Sequence, residues 1–300
     1  MKRKIYIAGG GGMLGKAYYD VFKNDFNIEV SDIDVNEDWI NFLDFRDREA
    51  YMKCISSFKP DYLFHLGAHT DLEYCETNIE ECYSTNTLAV ENAVFISNKL
   101  KIPLLYISTA GIFDGNQETY DDWDEPRPLG HYARSKYMGE RYVVENSNQY
   151  VVCRAGWMMG GGPKKDKKFI NKIMSQIKDG ANEINVVNDK LGTPTFTEDF
   201  ARNSLKLMEK QLWGLYNMVC EGVTGRFEVA EELLKLINRE DIKLNQVTSE
   251  FFAKEYFAAR PPSERLICSK LMMRGVYEMR DWKLCLNEYL AKDYSDYFEK

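Results

Sequence analysis

The chain has little basic charge, few histidines, no paired cysteine motif and no long apolar run. Its 300 residues carry 39 Lys and Arg against 47 Asp and Glu, a net charge of −8. Such a surface repels a phosphate backbone and anionic lipid, so neither nucleic acid nor a membrane is an expected partner. Of the three histidines, His65 and His69 fall across a strand end rather than on one helix face. A metal pair is therefore excluded, and the two are expected to border a ligand pocket. The seven cysteines stand at 54, 75, 82, 153, 220, 268 and 285 without a Cys-x-x-Cys, which excludes a disulfide framework and a zinc site and points to a reducing cytoplasm. Behind the basic start Met1-Lys2-Arg3-Lys4, the apolar stretch runs for only about five residues, too short for a signal core or a membrane span.

What is present is alternation. Short apolar runs at 5–8, 28–32, 62–66, 104–108 and 150–153 read as parallel strands, with a further strand before Asp44. Helical spacing of apolar residues fills 13–22, 46–58, 80–98 and 132–145 between them. The fold class is therefore α/β, a Rossmann-type doubly wound parallel sheet with a smaller C-terminal substrate-binding lobe. Residues 1–155 are assigned to the dinucleotide-binding domain, parts of 187–220 are expected to rejoin its sheet, and 156–300 mainly form the lobe.

The run Gly9-Gly10-Gly11-Gly12-Met13-Leu14-Gly15 follows the first strand and opens a helix. Backbone without Cβ lets a pyrophosphate approach the helix N-terminus and its N–H groups, so Gly9, Gly12, Met13, Leu14 and Gly15 are candidate cofactor contacts. About twenty residues on, Asp32 ends the second strand, where a carboxylate accepts from the ribose hydroxyls of NAD and repels a 2′-phosphate. NAD(H) is thus favoured over NADP(H), although Lys16 lies close and Asp32 also suits a turn cap. Asp44 is a candidate adenine contact or, equally, a helix cap.

Tyr132 and Lys136 stand at i and i+4, on one face of a helix. A tyrosine is a poor acid or base at neutral pH unless a cation lies near, and the Lys136 ammonium supplies one while holding the cofactor ribose. Ser108-Thr109 ends the fifth strand, at the sheet edge where such folds open their ligand crevice. Thr109 is placed to hydrogen-bond the carbonyl oxygen that Tyr132 protonates.

Over nearly its full length the chain resembles the extended short-chain dehydrogenases/reductases, and within them the dTDP-4-dehydrorhamnose reductases. The resemblance is carried by the glycine turn, by Phe64-His65-Leu66-Gly67-Ala68-His69-Thr70 and by Ile107-Ser108-Thr109-Ala110-Gly111-Ile112-Phe113-Asp114-Gly115. Tyr132-Ala133-Arg134-Ser135-Lys136, Arg154-Ala155-Gly156-Trp157, the stretch from Asn188 to Thr195 and Ala259-Arg260-Pro261 extend it. It implies hydride transfer from a nicotinamide to C4 of a nucleotide-linked 4-keto-6-deoxyhexose in dTDP-rhamnose or related polysaccharide biosynthesis. It also implies Thr109, Tyr132 and Lys136 as the triad, Leu66, Gly67 and Ala68 against the cofactor, and Arg260 against the substrate. A nucleotide-sugar epimerase and a non-catalytic regulatory subunit use the same scaffold, and a homodimer is left open.

Two segments depart from the pattern. Ala110-Gly111 stands where those reductases carry Asp-Tyr, and Leu266-Ile267-Cys268 where they keep Leu-Asp, so the sugar contacts differ. Lys164-Lys165-Asp166-Lys167-Lys168 reads either as a clamp for a diphosphate, with Lys168 the candidate, or as a solvated loop. Trp157 is a candidate stacking surface for a sugar or base, or a tryptophan packed between lobes.

Overall fold

The computed structural model describes residues 2–295; Met1 and residues 296–300 of the expected lobe lie outside the described residues. The chain runs through strand β1 (Lys4–Ala8), helix α1 (Met13–Phe22), β2 (Asn27–Asp32), β3 (Ile40–Phe42), α2 (Arg48–Phe58), β4 (Tyr62–His65), α3 (Ala89–Leu100) and β5 (Leu104–Thr109). There follow α4 (His131–Asn146), β6 (Tyr150–Ala155), α5 (Phe169–Lys178), α6 (Thr197–Glu209), β7 (Gly214–Met218), α7 (Arg226–Leu236) and α8 (Trp282–Asp293). The seven strands form one sheet in the order β7-β6-β5-β4-β1-β2-β3, and every pairing in it is parallel. The first six reproduce the doubly wound order 3-2-1-4-5-6, and β7 extends the edge.

Strand periodicity explains why both faces are covered. In β1, Ile5 and Ile7 enter one apolar cluster with Tyr18, Phe64 and Val151, while Tyr6 and Ala8 enter the other with Leu63, Tyr106 and Val152. Each fully buried large side chain contributes about 1.5–3 kcal/mol, and helices on both faces are the only cover a parallel sheet admits. Helix α2 starts where Asp47 accepts from Glu49 N and Ala50 N (2.9 and 3.0 Å), an N-cap that satisfies two orphan donors.

The continuous helix expected over 80–98 is broken. A helix at Ile79–Tyr83 passes into a π-helical turn at Ser84–Leu88 before α3 begins. Wide turns of this kind shift the following side chains round the axis, and here Asn86 and Thr87 are buried against α4.

After β6 the chain makes short pairings that periodicity does not reveal. Trp157–Met159 pairs in parallel with Pro194–Phe196, and Glu183–Val187 with Lys243–Val247. Pro262 and Ser263 dock on Leu191, whose N–H donates to Pro262 O (2.9 Å). These pairings form a lobe beside the C-terminal ends of the sheet strands, while β7 returns to the sheet itself. Among the described residues no helix is long and apolar enough to cross a membrane, and no cluster of His, Cys, Asp and Glu has the makings of a metal site.

Candidate active site

The glycine turn is built by close backbone approach. Gly9 has φ 79°, and a Cβ on it would lie 2.1 Å from Gly67 Cα; one on Gly15 would lie 2.2 Å from Gly10 O. Gly67 is confined in turn, because its own Cβ would strike the Phe45 ring at 2.2 Å. A side chain at Gly9 would have to push backbone against backbone, so the turn requires glycine there. Gly12, by contrast, faces open space at the N-cap of α1. Its carbonyl accepts from Lys16 N, and the free N–H groups of the first turn, including those of Met13 and Leu14, form an anion-binding end. An uncrowded N-terminus and a Cβ-free approach fit the pyrophosphate of a dinucleotide.

Asp32 closes β2 with Oδ2 accepting from Gly11 N (2.8 Å) and Oδ1 from Asp34 N (2.9 Å). Lys165 is buried and donates to Gly11 O (2.9 Å), with a second bond to the Asn36 side chain. Asp44 is paired with Arg46 (2.7 and 2.9 Å), and the guanidinium hydrogen bonds hold its carboxyl below the usual range. Leu66 and Gly67 donate to Ala8 O (2.8 and 3.2 Å), and this brings the Leu66-Gly67-Ala68 segment beside the glycine turn.

Thr109 ends β5, and its hydroxyl accepts from Gly111 N (3.1 Å). Tyr132 lies in the first turn of α4, close enough to the Thr109 hydroxyl to be stabilised by it as phenolate. Burial pushes the phenol well up, the Thr109 contact draws it partly back, and the nearby Glu264 carboxylate raises it further. The ligand-free phenol is thus raised rather than lowered, because desolvation outweighs its polar neighbours. Lys136, one turn on, is buried with its Nζ 4.3 Å from the Tyr106 ring centre. Burial lowers its pKa to about 7, opposed by the Glu140 carboxylate.

A polar scaffold missed in the sequence holds this helix. Asn86 accepts from His69 N (2.8 Å) and donates to His69 O and Ser135 Oγ (both 3.1 Å). Ser135 Oγ also donates to Tyr132 O (2.9 Å), and Thr87 Oγ1 to Ser135 O (2.9 Å). A Cβ on Gly139 would lie 2.7 Å from Asn86 O, so glycine lets α4 pack directly on the π-turn. Glu140, four residues beyond Lys136, accepts from Arg154 (2.7 and 3.1 Å) with both groups buried. That i+4 spacing was the one signal in the sequence that pointed to it.

The histidines take different places. His65 is buried, shares a hydrogen bond with Tyr51 OH (3.2 Å), and titrates near 3 because burial and the Lys136 charge oppose protonation. It is a core residue beneath Lys136. His69 is partly exposed, with Nε2 3.3 Å from Glu81.

Beyond β6, Trp157 Nε1 donates to Glu264 Oε2 (2.7 Å), the Arg226 guanidinium lies 3.7 Å from its ring centre, and Gly192 packs against its indole. The Arg226 guanidinium makes no hydrogen bond among the described residues; burial lowers its pKa to about 10, and Glu264 partly restores it. Arg260 forms a two-point pair with Glu73 (2.7 and 2.9 Å). Lys168 donates to Thr70 O (3.1 Å), and its backbone N–H to Asp166 (2.7 Å). Lys168, Arg226 and Arg260 are close enough for the Arg226 charge to disfavour protonation of Lys168, and the Arg260 charge that of Arg226. The three cations therefore lie near one another. Neither Arg226 nor Glu264 lies in a motif that marks it.

Residues 3–295 match the family described as RmlD substrate binding domain. The chain belongs to that family. It is 25% identical to dTDP-4-dehydrorhamnose reductase of Aggregatibacter actinomycetemcomitans, over 96% of this chain and 98% of that protein. It is also 25% identical to methionine adenosyltransferase 2 subunit beta of Xenopus laevis, over 96% of this chain and 87% of that protein. The solved dTDP-4-dehydrorhamnose reductase of Bacillus anthracis str. Ames, in complex with NADP, superposes with a TM-score of 0.88 at 27% identity, over 97% of this chain and all of that one.

Proposed function

We propose that this protein is an NAD(P)H-dependent oxidoreductase that reduces the C4 keto group of a nucleotide-linked 4-keto-6-deoxy sugar, as its dTDP-4-dehydrorhamnose reductase relatives do by name. The observation that carries the reading is the meeting of Thr109 and Tyr132, with Lys136 one turn below, at the sheet edge that holds the glycine turn.

When bound, the nicotinamide supplies the hydride. Thr109 orients the keto oxygen by donating its hydroxyl hydrogen. Tyr132, a phenol held protonated by burial, gives that oxygen its proton, and a cation beside it brings the raised phenol back toward the working range. Lys136, ammonium below about pH 7 in the free protein, binds ribose hydroxyls and stabilises the phenolate left behind. Arg226, Arg260 and Lys168 hold the substrate diphosphate, with Arg260 exchanging Glu73 for phosphate oxygens. Asp32 favours NAD over NADP by its charge.

The homodimer belongs to the same proposal. The outer face of α3 and α4 exposes Phe95, Met138 and Val144 beside a shallow cavity lined by Val94, Phe95, Asn98, Lys99, Tyr142 and Asn146, and a second copy is the partner proposed for it. The test of the activity is net loss of nicotinamide absorbance when the protein meets NADH or NADPH and dTDP-4-keto-6-deoxyhexose. A cofactor that stays bound and is not consumed while the sugar changes configuration marks an epimerase instead.

A further inference from the structure

One carboxylate in the cleft has no part in the hydride and proton transfers. Glu264 is fixed by its backbone, whose N–H donates to Leu191 O (2.8 Å), and by Oε2, which accepts from Trp157 Nε1 (2.7 Å). Its other oxygen, Oε1, accepts no hydrogen bond among the described residues. That oxygen lies 3.1 Å from the point where residue 111 would carry a Cβ, and the same point is 3.5 Å from Thr109 Oγ1. Gly111 has an ordinary backbone conformation, with no positive φ, so the turn does not demand glycine. What glycine provides there is space, in which a free carboxylate oxygen and the Thr109 hydroxyl face the same ligand atoms.

Among the described residues no side chain forms an ion pair with Glu264 within 4.0 Å, and Arg226 reaches it only as a nearby charge. Arg226, the cation beside it, lies on the Trp157 and Phe169 rings (3.7 and 4.7 Å to their centres) and makes no ion pair with Glu264 within 4.0 Å. A partly buried carboxylate is best completed by a cationic donor, because charge-assisted hydrogen bonds are about twice as strong as neutral ones. We infer that Glu264 selects a nucleotide-linked keto sugar bearing a protonated amine on a ring carbon next to the keto carbon. This rests on the reductase reading above and narrows its substrate.

The test uses the purified full-length protein at pH 7 with two 4-keto nucleotide sugars that differ only in a hydroxyl or an amine beside the keto carbon. Glu264→Gln is the informative variant, since its amide oxygen still accepts from Trp157 while the charge is lost. An unchanged affinity for NAD(P)H establishes that the variant is folded. The expected result is a kcat/KM ratio favouring the amine by about tenfold or more in the wild type, falling toward unity in Glu264→Gln, mainly through KM for the amine sugar. Equal or better reduction of the hydroxyl sugar by the wild type, or an unchanged ratio in the variant, overturns the inference and leaves the reductase reading standing. Consumption of neither sugar with either cofactor overturns both.

Discussion

Glu140 accepts from both Nε and Nη2 of the Arg154 guanidinium, at 3.1 and 2.7 Å, with both side chains buried. The pair ties the helix carrying Tyr132 and Lys136 to β6, the strand beside the one that ends in Thr109. Relative placement of the three candidate catalytic groups therefore depends on a buried ion pair that touches none of their reacting atoms. Replacing Glu140 by Leu leaves a buried cation without its partner, a change that costs about 3–5 kcal/mol. Denaturant titration should show that loss, and the double variant Glu140→Leu with Arg154→Met should recover most of it. A single variant as stable as the wild type would show that the pair does not hold the helix.

Lys136 gives a pH signature. Its folded pKa, near 7, is depressed below the unfolded value, so between pH 7 and about 10.4 the unfolded chain binds more protons at this site. Stability from this group is therefore lowest below pH 7 and rises with pH through that window, by at most about 1.4 kcal/mol per unit. Comparing wild type with Lys136→Met by denaturation at pH 7 and 9 isolates the term. The wild type should gain relative to the variant on going to pH 9, and a relative loss would contradict the assigned burial cost.

Asp32 bears on the cofactor. Its carboxylate caps Gly11 N and Asp34 N and stands where an adenosine ribose would meet β2. Asp32→Ala should shift the ratio of NADH to NADPH efficiency toward NADPH by about tenfold, the effect of one charge-assisted bond. Steady-state kinetics with both cofactors reads this directly, and an unmoved ratio would make Asp32 only a turn cap.

Phe95 and Met138 bear on assembly. If the outer face of α3 and α4 joins two copies, Phe95→Asp should move the sedimentation coefficient from dimer to monomer without unfolding the chain. A wild type that sediments as a monomer at micromolar concentration would remove this surface from consideration.

The central strands were legible because β1, β4, β5 and β6 are short, largely apolar runs, while edge strand β3, exposed at Asn41 and Phe42, has no such signature. The glycine turn and the Tyr132, Lys136 pair were legible because each is a local spacing on one element. Asn86 was hidden because a π-turn breaks the helical period that 80–98 otherwise shows. Arg226, Glu264 and Glu73 were hidden for a different reason: they come from separate segments that meet only through short pairings such as Leu191 with Ser263. No local pattern encodes that meeting. Trp157 was picked out by its neighbours in sequence, but its hydrogen bond to Glu264 and its contact with Arg226 are tertiary facts.

The most direct test of the central claim is nicotinamide absorbance on mixing the protein with NADH or NADPH and dTDP-4-keto-6-deoxyhexose, for wild type and Tyr132→Phe. Net cofactor oxidation is expected for the wild type, with turnover lower by about two to four orders of magnitude in the variant, the range for loss of a general acid. Oxidation that proceeds equally well without the Tyr132 hydroxyl, or none by the wild type with either cofactor, would contradict the claim.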